Sequence, residues 1–392
     1  MSELQMPVLL RNGRNCRISG ARWVVVAVVV ALLAAGCNSG AASGVGPLTR
    51  AYYITADEVA WNYTPSGINM ITGQPFDATA NKYLQSGPDR IGSTYTKCLY
   101  HGYTDATFTH RLERSANEQY LGLLGPVIRA QVGDTIKVTF RNNCSFPASI
   151  HPHGVFYTKK DEGTPYDDGR SAADKAGDAV AFHQQYVYTW QVPVRAGPGP
   201  MDSSSVVWMY HSHTDEAVDT YAGLIGPMEI TARGNARADG SPNDVDREFF
   251  ALFMVMDENS SPYLEAERTK LAKPPAADDA NFQESNKMYS TNGYVYGNGP
   301  MMTMHQDEHV RWYLISMGNG VNLHTPHWHG NTVTVAGMRM DSVNLPPAAM
   351  VTADMVADNP GIWLFHCHVS DHIIAGMLAR YQVLARAQPG PR

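Results

Sequence analysis

The stretch His366-Cys367-His368-Val369-Ser370-Asp371-His372-Ile373-Ile374-Ala375-Gly376-Met377 places a thiol, three imidazoles and a thioether in one short run. A His2Cys set with a weak axial methionine is the ligand choice of blue electron-transfer copper, and Cys367, His372 and Met377 supply three of its four ligands. The fourth falls upstream in His324-Thr325-Pro326-His327-Trp328-His329-Gly330, a second dense histidine cluster, where His324 completes the set.

Working outward, two more pairs follow the same logic: His151-Pro152-His153-Gly154 and His211-Ser212-His213. On an extended strand, H-x-H spacing points both rings to one side. Imidazole is the commonest metal ligand, and clustering of this density is not the pattern of ordinary core or surface histidines. His101, His110, His183, His305 and His309 lie outside the clusters and read as ordinary residues.

The chain has 392 residues, 44% of them apolar and only 17% charged, enough for two domains with sizeable cores. A net charge of -7 argues against nucleic acid as a partner. The 34 glycines and 24 prolines divide short alternating runs such as Thr135-Ile-Lys-Val-Thr-Phe140 and Val187-Tyr-Thr-Trp-Gln-Val192, which predicts an all-β chain built of sandwiches. Residues 50–232 form the first expected domain and residues 247–388 the second, joined by a polar linker at 233–246.

Residues 1–37 read as a secretory signal: Arg11, Arg14, Arg17 and Arg22 precede an apolar run from Trp23 to Ala35. That run is too short to span about 30 Å of hydrocarbon as a helix. Leu33-Ala-Ala-Gly-Cys37 resembles a bacterial lipobox, which implies a lipid anchor on Cys37 and a flexible tether over residues 38–49. Cys98 and Cys144 are then left together in one domain, either as a disulfide or as two buried thiols.

These four histidine motifs, in this order, resemble the multicopper oxidases. Leu121-Gly-Leu-Leu-Gly-Pro126, Val132-Gly-Asp-Thr-Ile-Lys-Val-Thr-Phe140, Gly223-Leu-Ile-Gly-Pro227 and Asn359-Pro-Gly-Ile-Trp-Leu-Phe-His-Cys-His368 are similar to the ceruloplasmin and hephaestin branch and to small two-domain laccases. The resemblance implies two cupredoxin-like Greek-key β-sandwich domains carrying one type 1, one type 2 and two type 3 coppers per subunit. It assigns His151 and His327 to the type 2 ion, and His153, His211, His213, His329, His366 and His368 to the type 3 pair. His366 and His368 flank Cys367, giving an electron on the blue copper a covalent route to either type 3 ion.

Within the chain the two domains are weak repeats: Ser212 stands where Cys367 stands, Ala217 where His372 stands and Ala222 where Met377 stands. Domain one therefore lacks the ligands for a blue copper. In the six-domain relatives the three-copper cluster forms where the first and last domains of a ring meet. The corresponding expectation here is a homotrimer, with domain one of one subunit against domain two of the next.

The implied activity is oxidation of a reductant one electron at a time, coupled to four-electron reduction of dioxygen to water outside the cytoplasm. By the same resemblance Tyr157 stands beside the cluster as an electron or proton source. Asp215 follows His211-Ser-His213 and is read as an acid that orients an imidazole or relays protons. Glu284 and Asp371 occupy places where ceruloplasmin binds iron, but Tyr289 replaces the histidine of that site. Fe(II) or Mn(II) oxidation and a laccase-like action on phenols thus stay open, with Met301, Met302, Met304 and His305 offering soft ligands for Cu(I). A nitrite-reductase-like protein would keep its blue copper in domain one, and a non-catalytic copper-binding relative would lack some of the ligands that are all present here.

Overall fold

Strand alternation does most of the folding. In Thr135–Asn142 every second side chain turns inward, so that Ile136, Val138 and Phe140 enter a core while Lys137 faces out. The computed structural model describes residues 46–320 and 322–386. The signal-like stretch, Cys37 and residues 38–45 of the tether lie outside the described residues. Among those described, no helix is long and apolar enough to cross a membrane.

The first sandwich has a five-stranded sheet, in which Thr49–Asn62 runs parallel to Thr135–Asn142 and antiparallel to Thr94–Tyr103. Its four-stranded sheet places Ser205–His211 between His151–Pro152 and Ile225–Thr231. Ile54, Val138 and Trp190 from the first sheet meet Ile128, Tyr210 and Met228 from the second in one core. The disulfide Cys98–Cys144 ties this sandwich together, so these two sulfurs are not free thiols.

The second sandwich repeats the plan. Arg247–Asp257 runs parallel to His309–Ser316 in a six-stranded sheet, and Gly361–Cys367 lies between Pro326–Trp328 and Leu378–Leu384 in a four-stranded one. Arg247–Asp257 and His309–Ser316 are buried almost throughout, because their outer face packs on domain-one residues including Leu123, Val207, Met209 and Ile225. Polar bonds cross this apolar seam: the Tyr313 hydroxyl donates to Glu229 at 2.8 Å, and Lys97 pairs with Glu258 at 2.6 Å with both side chains fully buried.

Residues 233–246, read as a linker, are pinned to the body. Arg50 donates to the carbonyl of Ala238 at 2.8 Å, and Asp244 pairs with Arg311. Among the described residues helices are short, the longest having seven residues. One of these, Ala78–Leu84, is capped by Asp77, whose carboxylate accepts from the amide of Ala80 at 2.9 Å, and it packs against the short helix Ala280–Ser285 of the second sandwich.

Candidate metal centres

The strand Gly361–Cys367 ends in the thiolate position, and the turn after it returns through helix Ser370–Ile374 to Met377. That turn is closed by backbone bonds from Cys367 to the carbonyl of Met377 at 3.2 Å and from Met377 to the carbonyl of His372 at 2.9 Å. His324, Cys367 and His372 bring their ligand atoms within 4.8 Å of one another, and all three are buried. The Cys367 Sγ lies 3.5 Å from His372 Nδ1 and accepts from the amide of Thr325 at 3.4 Å.

The donor chemistry fits a copper ion here. His324 Nε2 bonds to Asn322 Oδ1 at 3.3 Å, while its Nδ1 is fully buried with no protein partner. A buried nitrogen without a donor or acceptor is costly unless something else takes its lone pair. Burial, with His372 adding to it, pushes the His324 pKa down to about 3, so the ring is neutral and its lone pair is available at ordinary pH. Burial raises the Cys367 thiol, which would release its proton on binding a metal.

The other eight imidazoles fall into two quartets, one per sandwich. In the first, His151 pairs across the ladder with His211, and in the second His327 pairs with His366. Ring centroids are 5.1 to 5.6 Å apart for the contacting pairs among His151, His153, His211 and His213. They are 4.9 to 5.6 Å apart among His327, His329, His366 and His368. His153 Nε2 faces His211 Nε2 at 3.0 Å, and His329 Nε2 faces His366 Nε2 at 3.0 Å.

Four Nδ1–H groups donate to backbone carbonyls: His151 to Glu162, His211 to Ser212, His327 to Asp341 and His366 to Cys367, all between 2.7 and 2.9 Å. That fixes the tautomer and leaves each Nε2 lone pair pointing toward its neighbours, the arrangement of metal-bound imidazole. Burial lowers His153 to about 4 and His211 to about 3, which keeps both rings neutral. Among the described residues, no ring of one quartet contacts a ring of the other, and the second quartet borders an open cavity with Asp341 and Trp363 on its walls.

The first H-x-H of each sandwich is followed by a glycine for the same reason. Gly154 and Gly330 both have φ of +75°, and a Cβ on either would strike an indole, Trp208 at 2.3 Å and Trp363 at 2.6 Å. Those indoles sit three residues before His211 and His366, so the repeated Trp-x2-His and His-x-His-Gly patterns are two halves of one packing unit. This signal was present in the sequence but invisible without the contact.

Of the acids and the tyrosine, Tyr157 sets its ring against His151 with centroids 5.8 Å apart. Asp215 is exposed at the start of helix Glu216–Ala222, and its side chain makes no cap bond. Its neighbour Glu216 instead meets His213 Nε2 at 2.9 Å, and that contact raises His213 while holding Glu216 down to about 2. Asp219, one helical turn on and buried, accepts from Ser212 Oγ at 2.6 Å, and burial lifts it to about 6. Glu284 accepts from the Tyr83 hydroxyl at 3.1 Å and pairs with Lys287 at 3.0 Å; Asp371 is exposed beside His372. Met302 and Met304 face the core while His305 turns outward to Glu308, because strand alternation separates them, so they do not form a soft-ligand cluster.

Two family models, each described as multicopper oxidase, match residues 102–235 and 268–387, together more than half of the chain. The chain is 45% identical over 345 residues to "Ferroxidase HEPHL1" of Homo sapiens, covering 86% of this chain and 30% of that protein. It is 41% identical to hephaestin of Homo sapiens, over 88% of this chain and 30% of the relative. Ceruloplasmin of Homo sapiens is 41% identical over 86% of this chain and 33% of its own length. The chain thus spans about a third of these relatives. Among solved structures, "Multicopper Oxidase mgLAC" superposes with a TM-score of 0.54 at 17% identity, covering 88% of each chain. "Blue Copper Oxidase from Nitrosomonas europaea" gives 0.52 at 15%, over 86% of each chain, and both show likeness of fold.

Proposed function

Because this chain belongs to the multicopper oxidase family, we propose that it oxidises a small reductant, by preference a metal ion, one electron at a time, and passes the electrons to dioxygen. The observation that carries the reading is the converging set of His324, Cys367 and His372, with His366 and His368 on either side of the thiol. Copper in this set would accept the electron from the reductant, and copper held by the two quartets would reduce dioxygen. The chain's own contribution is to hold His151, His211, His327 and His366 by Nδ1 so that Nε2 faces the neighbouring rings, to keep the thiol buried, and to connect the two centres through one peptide unit on each side of Cys367.

His324, Cys367, His372 and Met377 would hold the type 1 ion; His151 and His327 the type 2 ion; His153, His211, His213, His329, His366 and His368 the type 3 pair. Tyr157, in edge contact with His151, is placed to donate an electron or a proton beside that cluster. Glu216 and the Ser212–Asp219 pair, rather than Asp215, are the acids in contact with the first H-x-H segment.

Because the quartets do not touch within one chain, each would be completed by a quartet from another copy, and a cyclic trimer is the simplest closed solution. The Cys98–Cys144 disulfide supports a location outside the cytoplasm, where such bonds persist. Lipidation of Cys37 would hold the protein at the membrane surface. Relatives named ferroxidase favour a metal ion as reductant. A laccase-like action on phenols is the second reading, favoured by Tyr289 standing where an imidazole would be needed for an iron site.

Copper loading with a visible spectrum tests the centre. Wild type should be intensely blue from the thiolate, and Cys367→Ser should lose the colour while retaining the other coppers. A blue Cys367→Ser variant would overturn the assignment. Mixing His153→Ala with His329→Ala subunits should restore activity in co-assembled trimers, whereas a fully active monomer by light scattering would refute the shared cluster.

A further inference from the structure

His372 is only 5% exposed, although it is the ligand through which a reductant would reach the type 1 ion. Two different parts of the chain contribute to its cover. Tyr289 sits on the strand Lys287–Thr291, where alternation sends Met288 into the core and turns Lys287 and Tyr289 to the other face; the Tyr289 ring lies against His372 with centroids 5.3 Å apart. On top of Tyr289 rests Tyr83, in edge contact at 5.8 Å, brought over from the first sandwich by helix Ala78–Leu84. The same insertion carries Phe76, which meets Tyr296 at 5.7 Å, and the Tyr296 hydroxyl donates to the carbonyl of Ile374 at 3.0 Å in the turn that bears His372.

We propose that Tyr83 and Tyr289 form an aromatic cover that closes His372 to planar organic reductants, with Glu284 and Asp371, the carboxylates of the metal-ion reading above, left at its edge. This deepens the oxidase reading given above and rests on it for the identity of the metal behind His372. The cover is held by its own contacts. The Tyr83 hydroxyl is anchored on Glu284, whose other oxygen is bound by Lys287 at 3.0 Å, and Lys82 stands 3.8 Å from the same carboxylate. Glu284, which holds the Tyr83 hydroxyl, and Asp371, exposed next to His372 in the chain, are the carboxylates at the cover's rim. A small hydrated cation can approach that rim by displacing Lys287 from Glu284; a phenol ring needs the space that Tyr83 and Tyr289 fill. Electron transfer at this edge would change no bonds in the cover: the reductant would lose one electron, and a metal held behind His372 would accept it.

The cover itself is tested on the copper-free protein by acylating histidines with diethylpyrocarbonate and mapping the sites by mass spectrometry. In wild type, His372 should react far more slowly than His305, which is 58% exposed and serves as the internal reference. Tyr83→Ala and Tyr289→Ala should each raise the His372 rate by about tenfold, Tyr289→Phe should leave it unchanged, and His211, at 1% exposure, should stay unreactive as a check on folding. Wild-type His372 reacting as fast as His305, or no change at His372 in folded alanine variants, would overturn the cover.

Selectivity is then read on the copper-loaded protein by anaerobic bleaching. Tyr83→Ala should speed bleaching by hydroquinone about tenfold and leave bleaching by Fe(II) within about twofold. Equal changes for both reductants would refute the exclusion of organic reductants even if the cover is real. Loss of the blue band in the wild type would instead remove the oxidase reading while the acylation result stands.

Discussion

Gly330→Ala is expected to destabilise the second sandwich far more than its single methyl suggests. Two costs add. The backbone at Gly330 has φ of +75°, and holding an L-residue in that region costs roughly 1–2 kcal/mol. The added Cβ would lie 2.6 to 2.7 Å from three atoms of the Trp363 indole. That ring cannot swing away freely, because its Nε1 donates to the carbonyl of Asn359 at 3.0 Å, and overpacking of this kind costs roughly 1–3 kcal/mol. The sum is about 2–5 kcal/mol. Gly169 separates the two terms: its φ is also +75° but nothing lies within 4 Å of a Cβ there, so Gly169→Ala should lose only about 1–2 kcal/mol. Urea unfolding followed by tryptophan fluorescence would give both numbers. Because Gly330 adjoins His329, the Gly330→Ala variant should also bind copper more weakly in the second quartet, as measured by competition with a chelator. If Gly330→Ala proves no more harmful than Gly169→Ala, the indole is not a rigid wall and the proposed packing unit is wrong.

The paired change Cys98→Ala with Cys144→Ala opens a loop with a sequence separation of 46 and should cost about 4 kcal/mol by the chain-entropy relation, read as a shift in the urea midpoint. Lys97→Met should cost about 3–5 kcal/mol by leaving Glu258 buried without its cation, and adding Glu258→Gln should recover part of that loss. Asp219 is raised in the fold to about 6, so the folded state holds its proton more tightly than the unfolded chain does. Stability of the copper-free protein should therefore fall as pH rises from about 4 to about 6, by roughly 2–3 kcal/mol from this residue. Asp219→Asn should flatten that slope, and an unchanged pH profile would show that Asp219 does not titrate in this window.

The histidine clusters, the thiol and the methionine are local patterns, and local patterns survive in a sequence. H-x-H and H-C-H spacing needs only a strand to align its rings, so the twelve candidate ligands, the repeat between sandwiches and the absent thiolate in domain one could all be read from residue order. Alternation and turn residues gave the all-β class by the same route, since the side-chain period belongs to the strand itself. What could not be read was anything made by residues distant along the chain. Asp215 was the nearer acid in sequence, yet helix Glu216–Ala222 starts at that point and turns Glu216 toward His213 and Asp219 toward Ser212. Met304 and His305 are adjacent in sequence but point to opposite faces of their strand. Tyr83 and Tyr289 are far apart in the chain and meet only because a helix inserted in one sandwich packs on the other. Ligand identity is therefore written in short-range spacing, whereas access to the ligand is set by packing between sandwiches, which depends on shape and burial across the whole fold.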